Sequence, residues 1–188
     1  MAFYGGERPQ EDGIIRYGDH VSLKHNQTGR FLTSNNDNYE GGSGQNIVFA
    51  GGWSADEWST FIVIPPRYTE EEPGYEVGWD DEVRLKHVPT RRNLHSHPDH
   101  ESPVTGQQEV TCFGDDETSD ENDIWVVAKW DEDSDEYDDF WRVGQGFVLR
   151  HLLTGRTLHS HEELFFDENN EVTCFSELDE NDMWRVEY

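Results

Sequence analysis

The stretch Val21-Ser22-Leu23-Lys24-His25 recurs as Val83-Arg84-Leu85-Lys86-His87 and again as Phe147-Val148-Leu149-Arg150-His151. Two residues after each copy comes a second shared element. It reads Thr28-Gly29-Arg30-Phe31-Leu32-Thr33-Ser34, Thr90-Arg91-Arg92-Asn93-Leu94-His95-Ser96-His97 and Thr154-Gly155-Arg156-Thr157-Leu158-His159-Ser160-His161. The spacing is about 60 residues, a period that marks an internally repeated architecture. Each unit continues through a middle segment (Gln45 to Phe49, Gln107 to Phe113, Glu171 to Phe175) and closes on an acidic pair followed by an aromatic residue. Those closures run Asp56-Glu57 to Phe61, Asp120-Glu121 to Trp125 and Asp179-Glu180 to Trp184.

Within the head element, Val21, Leu23 and His25 alternate with Ser22 and Lys24, the period-two pattern of a half-buried strand. Leu32, Leu94 and Leu158 return as core positions with Ser34, Ser96 and Ser160 on the same side, which reads as a hairpin. No segment keeps apolar spacing of three and four between caps, so helices are expected only as short connectors. Four strands in each of three units predict about twelve, and a closed barrel with hairpins over one end accommodates them without exposed edges. The fold class is therefore all-β, a β-trefoil. Residues 1–13 are expected as a flexible N-terminal segment and 14–188 as a single domain, with units at about 14–66, 75–130 and 141–188. The acidic insertions at 65–74 (PPRYTEEEPG) and 131–140 (DEDSDEYDDF) read as loops between units.

Composition narrows function. Seven Trp, ten Phe and seven Tyr fill a core in spite of the low mean hydropathy, which rejects disorder. Against 41 acidic residues stand 14 basic ones, and the net charge of −27 leaves no basic stripe for nucleic acid or an anionic membrane. So acidic a surface suits molar salt, where the Debye length falls to about 3 Å and self-repulsion is screened. No apolar run approaches the roughly 18 residues of a membrane span, and 1–13 has no basic start leading into an apolar stretch. A cytoplasmic location is the expectation, unless the chain is a mature or truncated secretory form. Cys112 and Cys174 form no C-x-x-C pair and read as small buried residues.

The L-H-S-H elements at Leu94 to His97 and Leu158 to His161, with Gln107-Gln108-Glu109-Val110 and the acid-rich run into Trp125, resemble the MIR domain. That family takes its name from protein O-mannosyltransferases, inositol trisphosphate receptors and ryanodine receptors. The likeness is greatest to the luminal mannosyltransferase domains and the stromal cell-derived factor two proteins, and it covers the chain from about Ile14. It implies a β-trefoil, a non-enzymatic role, and protein partners in quality control for the stand-alone members. The first unit reads Leu32-Thr33-Ser34-Asn35 where the others read L-H-S-H, so histidine-based sites are expected on the second and third units.

His25, His87 and His151 share the core-facing parity and are expected to fix turns by hydrogen bonds. His95 with His97, and His159 with His161, point to one side of their strands. That is an i, i+2 pair able to hold a metal if Asp99, His100, Glu162 or Glu163 joins it, although a polar surface is the expectation and no metal or other cofactor is assigned. The run Asp131-x-Asp133-x-Asp135 opens like a calcium loop, but Glu136 stands where glycine is needed. There is no nucleophile elbow, P-loop or H-E-x-x-H, and no catalytic residue is assigned. The expected function is a monomeric, non-catalytic binding or scaffolding module for a protein partner. The alternative is a lectin-like carbohydrate-binding module of mannose type. Arg92, His95, His97, Arg156, His159 and His161 are the candidate ligand-binding residues for either. A competing reading has the arginines brace their turns against the acidic segment of their own unit.

Overall fold

A computed structural model describes residues 7–188. Each head element forms a barrel strand, because its alternating apolar side chains find an interior. The first is interrupted at Ser22 into β1 (His20–Val21) and β2 (Leu23–His25), and the chain continues through β3 (Phe31–Asn38), β4 (Asn46–Gly51) and β5 (Phe61–Ile64). The second unit supplies β6 (Glu82–His87), β7 (Asn93–Glu101), β8 (Gln108–Phe113) and β9 (Trp125–Lys129). The third supplies β10 (Phe147–His151), β11 (Thr157–Leu164), β12 (Asn170–Phe175) and β13 (Trp184–Val186). Among the described residues there are short 3₁₀ turns and no α-helix.

Pairing closes the barrel. β1 pairs β5, β5 pairs β6, β6 pairs β9, β9 pairs β10, β10 pairs β13, and β13 returns to β2, all antiparallel. The remaining strands make the hairpins β3–β4, β7–β8 and β11–β12, whose second strands pair with one another around the pseudo-threefold axis. A six-stranded barrel capped by a hairpin triplet is a β-trefoil, and the twelve-strand expectation is met once β1 and β2 count as one interrupted strand.

The core repeats with the sequence. Leu23, Leu85 and Leu149, then Leu32, Leu94 and Leu158, then Val48, Val110 and Val172, are all fully buried. Ser34, Ser96 and Ser160 lie beside them and donate to the carbonyls of Ile47, Glu109 and Glu171, which removes the penalty of burying a hydroxyl. Trp125 and Trp184 fill the interior and donate their indole N–H to the carbonyls of Leu94 and Leu158.

One threefold feature has no counterpart in the sequence reading. The segments entering each unit form a ring of backbone hydrogen bonds at the barrel mouth: Ile15 N to Trp141 O, Val77 N to Ile15 O and Trp141 N to Val77 O, each 2.9 Å. Of the segment 1–13 expected to be flexible, 1–6 lie outside the described residues. In the remainder the Glu7 carbonyl accepts from His20 N, Arg8 lies over the Tyr188 ring, and Asp12 pairs with Arg16 at 2.8 Å.

Candidate functional site

The residues able to do chemistry are mostly spent on structure. His25, His87 and His151 are fully buried. Each Nε2 lies 2.8–2.9 Å from a carbonyl, of Asn181, Trp58 and Asn122 respectively, and each Nδ1 lies 2.8–2.9 Å from a threonine hydroxyl, Thr28, Thr90 and Thr154. A carbonyl only accepts, so Nε2 carries the proton and Nδ1 accepts from threonine. Each ring thus pins its own turn to the acidic turn of the preceding unit, a stronger version of the turn-fixing role expected from strand parity. Burial lowers all three pKa values, that of His25 to about 4.

The L-H-S-H histidines divide. His95 and His159 are buried, not solvated as the alternation suggests, because a carboxylate from the end of the same unit reaches them. His95 Nδ1 lies 2.8 Å from Asp123 Oδ1, and His159 Nδ1 lies 3.0 Å from Asp182 Oδ1. Asp123 also accepts from Asn93, Ser119 and the Asp120 N–H, and Asp182 from Thr157 and the Asp179 N–H. The clusters His95–Asp120–Asp123 and His159–Asp179–Asp182 gather ligand atoms within 4.8 Å, yet these oxygens are already filled by protein donors. Asp123 and Asp182, and not Asp99, His100, Glu162 or Glu163, are therefore the partners of His95 and His159. The acidic turns are themselves capped, with Asp56, Asp120 and Asp179 accepting from the N–H two residues on.

His97 and His161 occupy equivalent positions but differ in surroundings. His97 is about a third exposed, close to Asp99 (3.6 Å) and with its ring 5.1 Å from that of His100. His161 turns inward, its Nε2 3.3 Å from Glu171 Oε1 but off the line of a hydrogen bond.

The hydrogen bonds of the arginines run across units, not to the acidic segment of their own unit, which corrects the competing reading given above, although Arg30 also lies over the Trp53 ring of its own unit. Arg92 donates to Asn46 of the first unit, Arg156 to Gln108 of the second at 3.1 Å, and Arg30 to the Glu168 carbonyl of the third at 3.3 Å. In the second unit Asp116 is taken by Lys86 and Arg91. Arg92 nonetheless lines an open polar pocket of about 520 Å³ together with Asn46, Asp115 and the partly exposed Phe113. A second pocket of about 650 Å³ opens at the hairpin triplet, a place sequence reasoning did not mark.

Cys112 and Cys174 are free and buried, and burial pushes both thiols up to about 12, so neither is a nucleophile at neutral pH. In the calcium-like run Asp131 accepts from the Asp133 N–H, a local turn bond. No helix among the described residues is long and apolar enough to cross a membrane.

Comparison with known proteins agrees with this geometry. Residues 54–139 match the MIR domain model. A stromal cell-derived factor 2-like protein of Arabidopsis thaliana is 38% identical over 82% of this chain and 69% of its own length. The crystal structure of the SDF2-like protein from the same plant superposes with a TM-score of 0.87 at 34% identity, covering 93% of this chain and 94% of that one. A structure of the Saccharomyces cerevisiae protein O-mannosyltransferase Pmt1–Pmt2 complex bound to the sugar donor matches 96% of this chain at 31% identity and TM-score 0.82, over 26% of that chain.

Proposed function

This chain belongs to the MIR domain family, alongside the SDF2-like proteins, and from that premise we propose that it is a non-catalytic binding module whose ligand is a partner protein. The observation that carries this reading is the structural engagement of the groups catalysis would need. The three turn histidines are buried and neutral, His95 and His159 are each held through Nδ1 by Asp123 and Asp182, and the two thiols are sealed in the core. What remains outside is an acidic skin on a rigid barrel, and such a surface favours a partner with a basic face, drawn in electrostatically and released by salt.

The test is capture on immobilised domain from an extract of the host, across salt concentrations. A protein retained saturably at low salt, displaced by free domain and eluted as salt rises, is the expected result. Failure to retain any protein at every salt concentration refutes the reading.

A carbohydrate ligand is the second reading, supported by the Arg92 pocket. There the guanidinium, held by the buried Asn46 amide, places planar N–H donors beside the ring of Phe113, the elements a sugar site uses. The likeness to a mannosyltransferase makes mannose-containing glycans the first to try. Glycan-array binding lost in Arg92→Ala supports this reading, and an array without signal removes it.

A further inference from the structure

The hairpin end of the trefoil is threefold in backbone but not in chemistry, and the difference falls on one carboxylate. Ile47, Glu109 and Glu171 take equivalent places, each immediately before the valine that pairs with the buried serine. Each lies under the hairpin loop of the preceding unit. Loop 165–169 covers Ile47 with apolar surface, Phe165 packing into the same cluster as Tyr39, Ile47 and Phe49. Loop 102–107 covers Glu171 and satisfies both of its oxygens. Oε2 accepts from the Ser102 hydroxyl and from the N–H groups of Val104 (3.1 Å) and Thr105 (3.2 Å), and Oε1 accepts from the Thr105 hydroxyl at 2.6 Å.

Loop 39–45 covers Glu109 and satisfies one oxygen only. Ser43 donates through both its N–H and its hydroxyl to Oε1. Oε2 has no hydrogen-bond partner, although Glu109 is 1% exposed. The loop is shaped around that oxygen: Gly42 sits at φ +57°, and a Cβ there would stand 2.2 Å from Oε2. A buried, unpartnered carboxylate oxygen is rare in a finished structure and implies a missing donor.

Glu109 lines the 650 Å³ pocket at this end. Part of its lining is apolar, formed by Ile47, Pro103, Phe165 and Phe166. The lining also includes the exposed carboxylates of Asp37, Glu40 and Glu101, and no Lys, Arg or His. None of these three carboxylates forms an ion pair among the described residues. We propose that this pocket binds an ammonium or guanidinium group on an alkyl stem, presented as a Lys or Arg side chain of a partner protein. The stem packs on the phenylalanines while the charge reaches Glu109 Oε2, the two-part contact such side chains make. Only the assignment to a protein side chain rests on the function proposed above.

The experiment titrates n-hexylammonium, and hexanol as its neutral control, into the full ¹⁵N-labelled chain, followed by the peptide acetyl-Leu-Lys-Leu-amide and its Nε-acetylated form. Saturable amide shifts confined to 40–44, 101 and 165–166 are expected with hexylammonium, with hexanol at least about tenfold weaker. Glu109→Gln is expected to weaken hexylammonium by about tenfold or more while leaving hexanol unchanged. Because Glu109 is buried, the exposed pair Glu40→Gln and Glu101→Gln serves as a second variant that spares the fold, with a few-fold loss expected. Equal binding of hexylammonium and hexanol, shifts elsewhere on the surface, or a Glu109 carboxyl ¹³C signal showing protonation at neutral pH each overturns the proposal. Hexylammonium binding without binding of the lysine peptide overturns the assignment to a protein side chain. Purified probes are used throughout, so a negative result here leaves the capture experiment standing on its own.

Discussion

Replacing His25 by alanine tests the reading of the buried turn histidines, and the pH dependence makes the test specific. In the native chain the ring bridges Thr28 Oγ1 (2.9 Å) and the Asn181 carbonyl (2.8 Å) and meets Trp184 edge-on at 4.9 Å between centroids. Truncation leaves a buried carbonyl without its donor, at about 1–3 kcal/mol, and forfeits the aromatic contact, at about 0.5–1.5 kcal/mol. The expected loss near pH 7.5 is about 2–4 kcal/mol. Acid then acts unequally on the two chains. Burial lowers the folded-state pKa to about 4, whereas the unfolded ring titrates near 6.5, so below that value the unfolded state binds the proton first. The native contribution is complete above about pH 6.5 and is lost as pH falls towards the folded value, about 2 kcal/mol of it by pH 5. The variant lacks this linkage and shares every other titrating group. Urea unfolding of both proteins from pH 7.5 to 5 should therefore show the stability gap narrowing by about 2 kcal/mol. A gap that stays constant over this range refutes the assignment of a buried neutral imidazole.

Asp123→Ala removes the acceptor shared by His95, Asn93, Ser119 and the Asp120 N–H, and urea unfolding should register a loss of about 3–5 kcal/mol; a loss below about 1 kcal/mol would mean the network is not structural. With a net charge of −27, thermal melting should rise from low to molar salt, and equal melting temperatures would remove salt adaptation as the reason for the acidity. Cys112 and Cys174 should resist a thiol reagent in the native protein at pH 8 and react on unfolding in urea; rapid native labelling would contradict their burial.

The fold was legible because each core position is written three times. Leu23, Leu85 and Leu149 identify one another, and the serine two residues after each hairpin leucine lies where the alternation puts it. The barrel-mouth ring escaped because it is made by backbone groups of Ile15, Val77 and Trp141, whose side chains share little but bulk. The site was less legible, for a physical reason. Strand parity assigns a side of the sheet, but whether that side is solvated depends on what folds over it. Asp123 lies 28 residues beyond His95, and Asn46 lies 46 residues before Arg92, so neither partner enters a local pattern. The acid-rich closing segment was visible as a repeat, and its recurrence in step with L-H-S-H was the signal that the two meet. Glu109 gave no such signal. Its distinction from Glu171 lies in which loop covers it, 41-Gly-Gly-Ser-43 or 103-Pro-Val-Thr-105, and only the assembled triplet reveals that comparison.

On the function proposed above, this trefoil works by binding a protein through its acidic exterior. The most direct measurement is a binding isotherm between the domain and the protein it captures, each purified, over a range of salt concentrations. A saturable complex is expected, whose affinity falls steadily as salt rises and which leaves the captured protein covalently unchanged. A captured protein that does not saturate the domain, or one converted to product by it, would contradict a non-catalytic binding role.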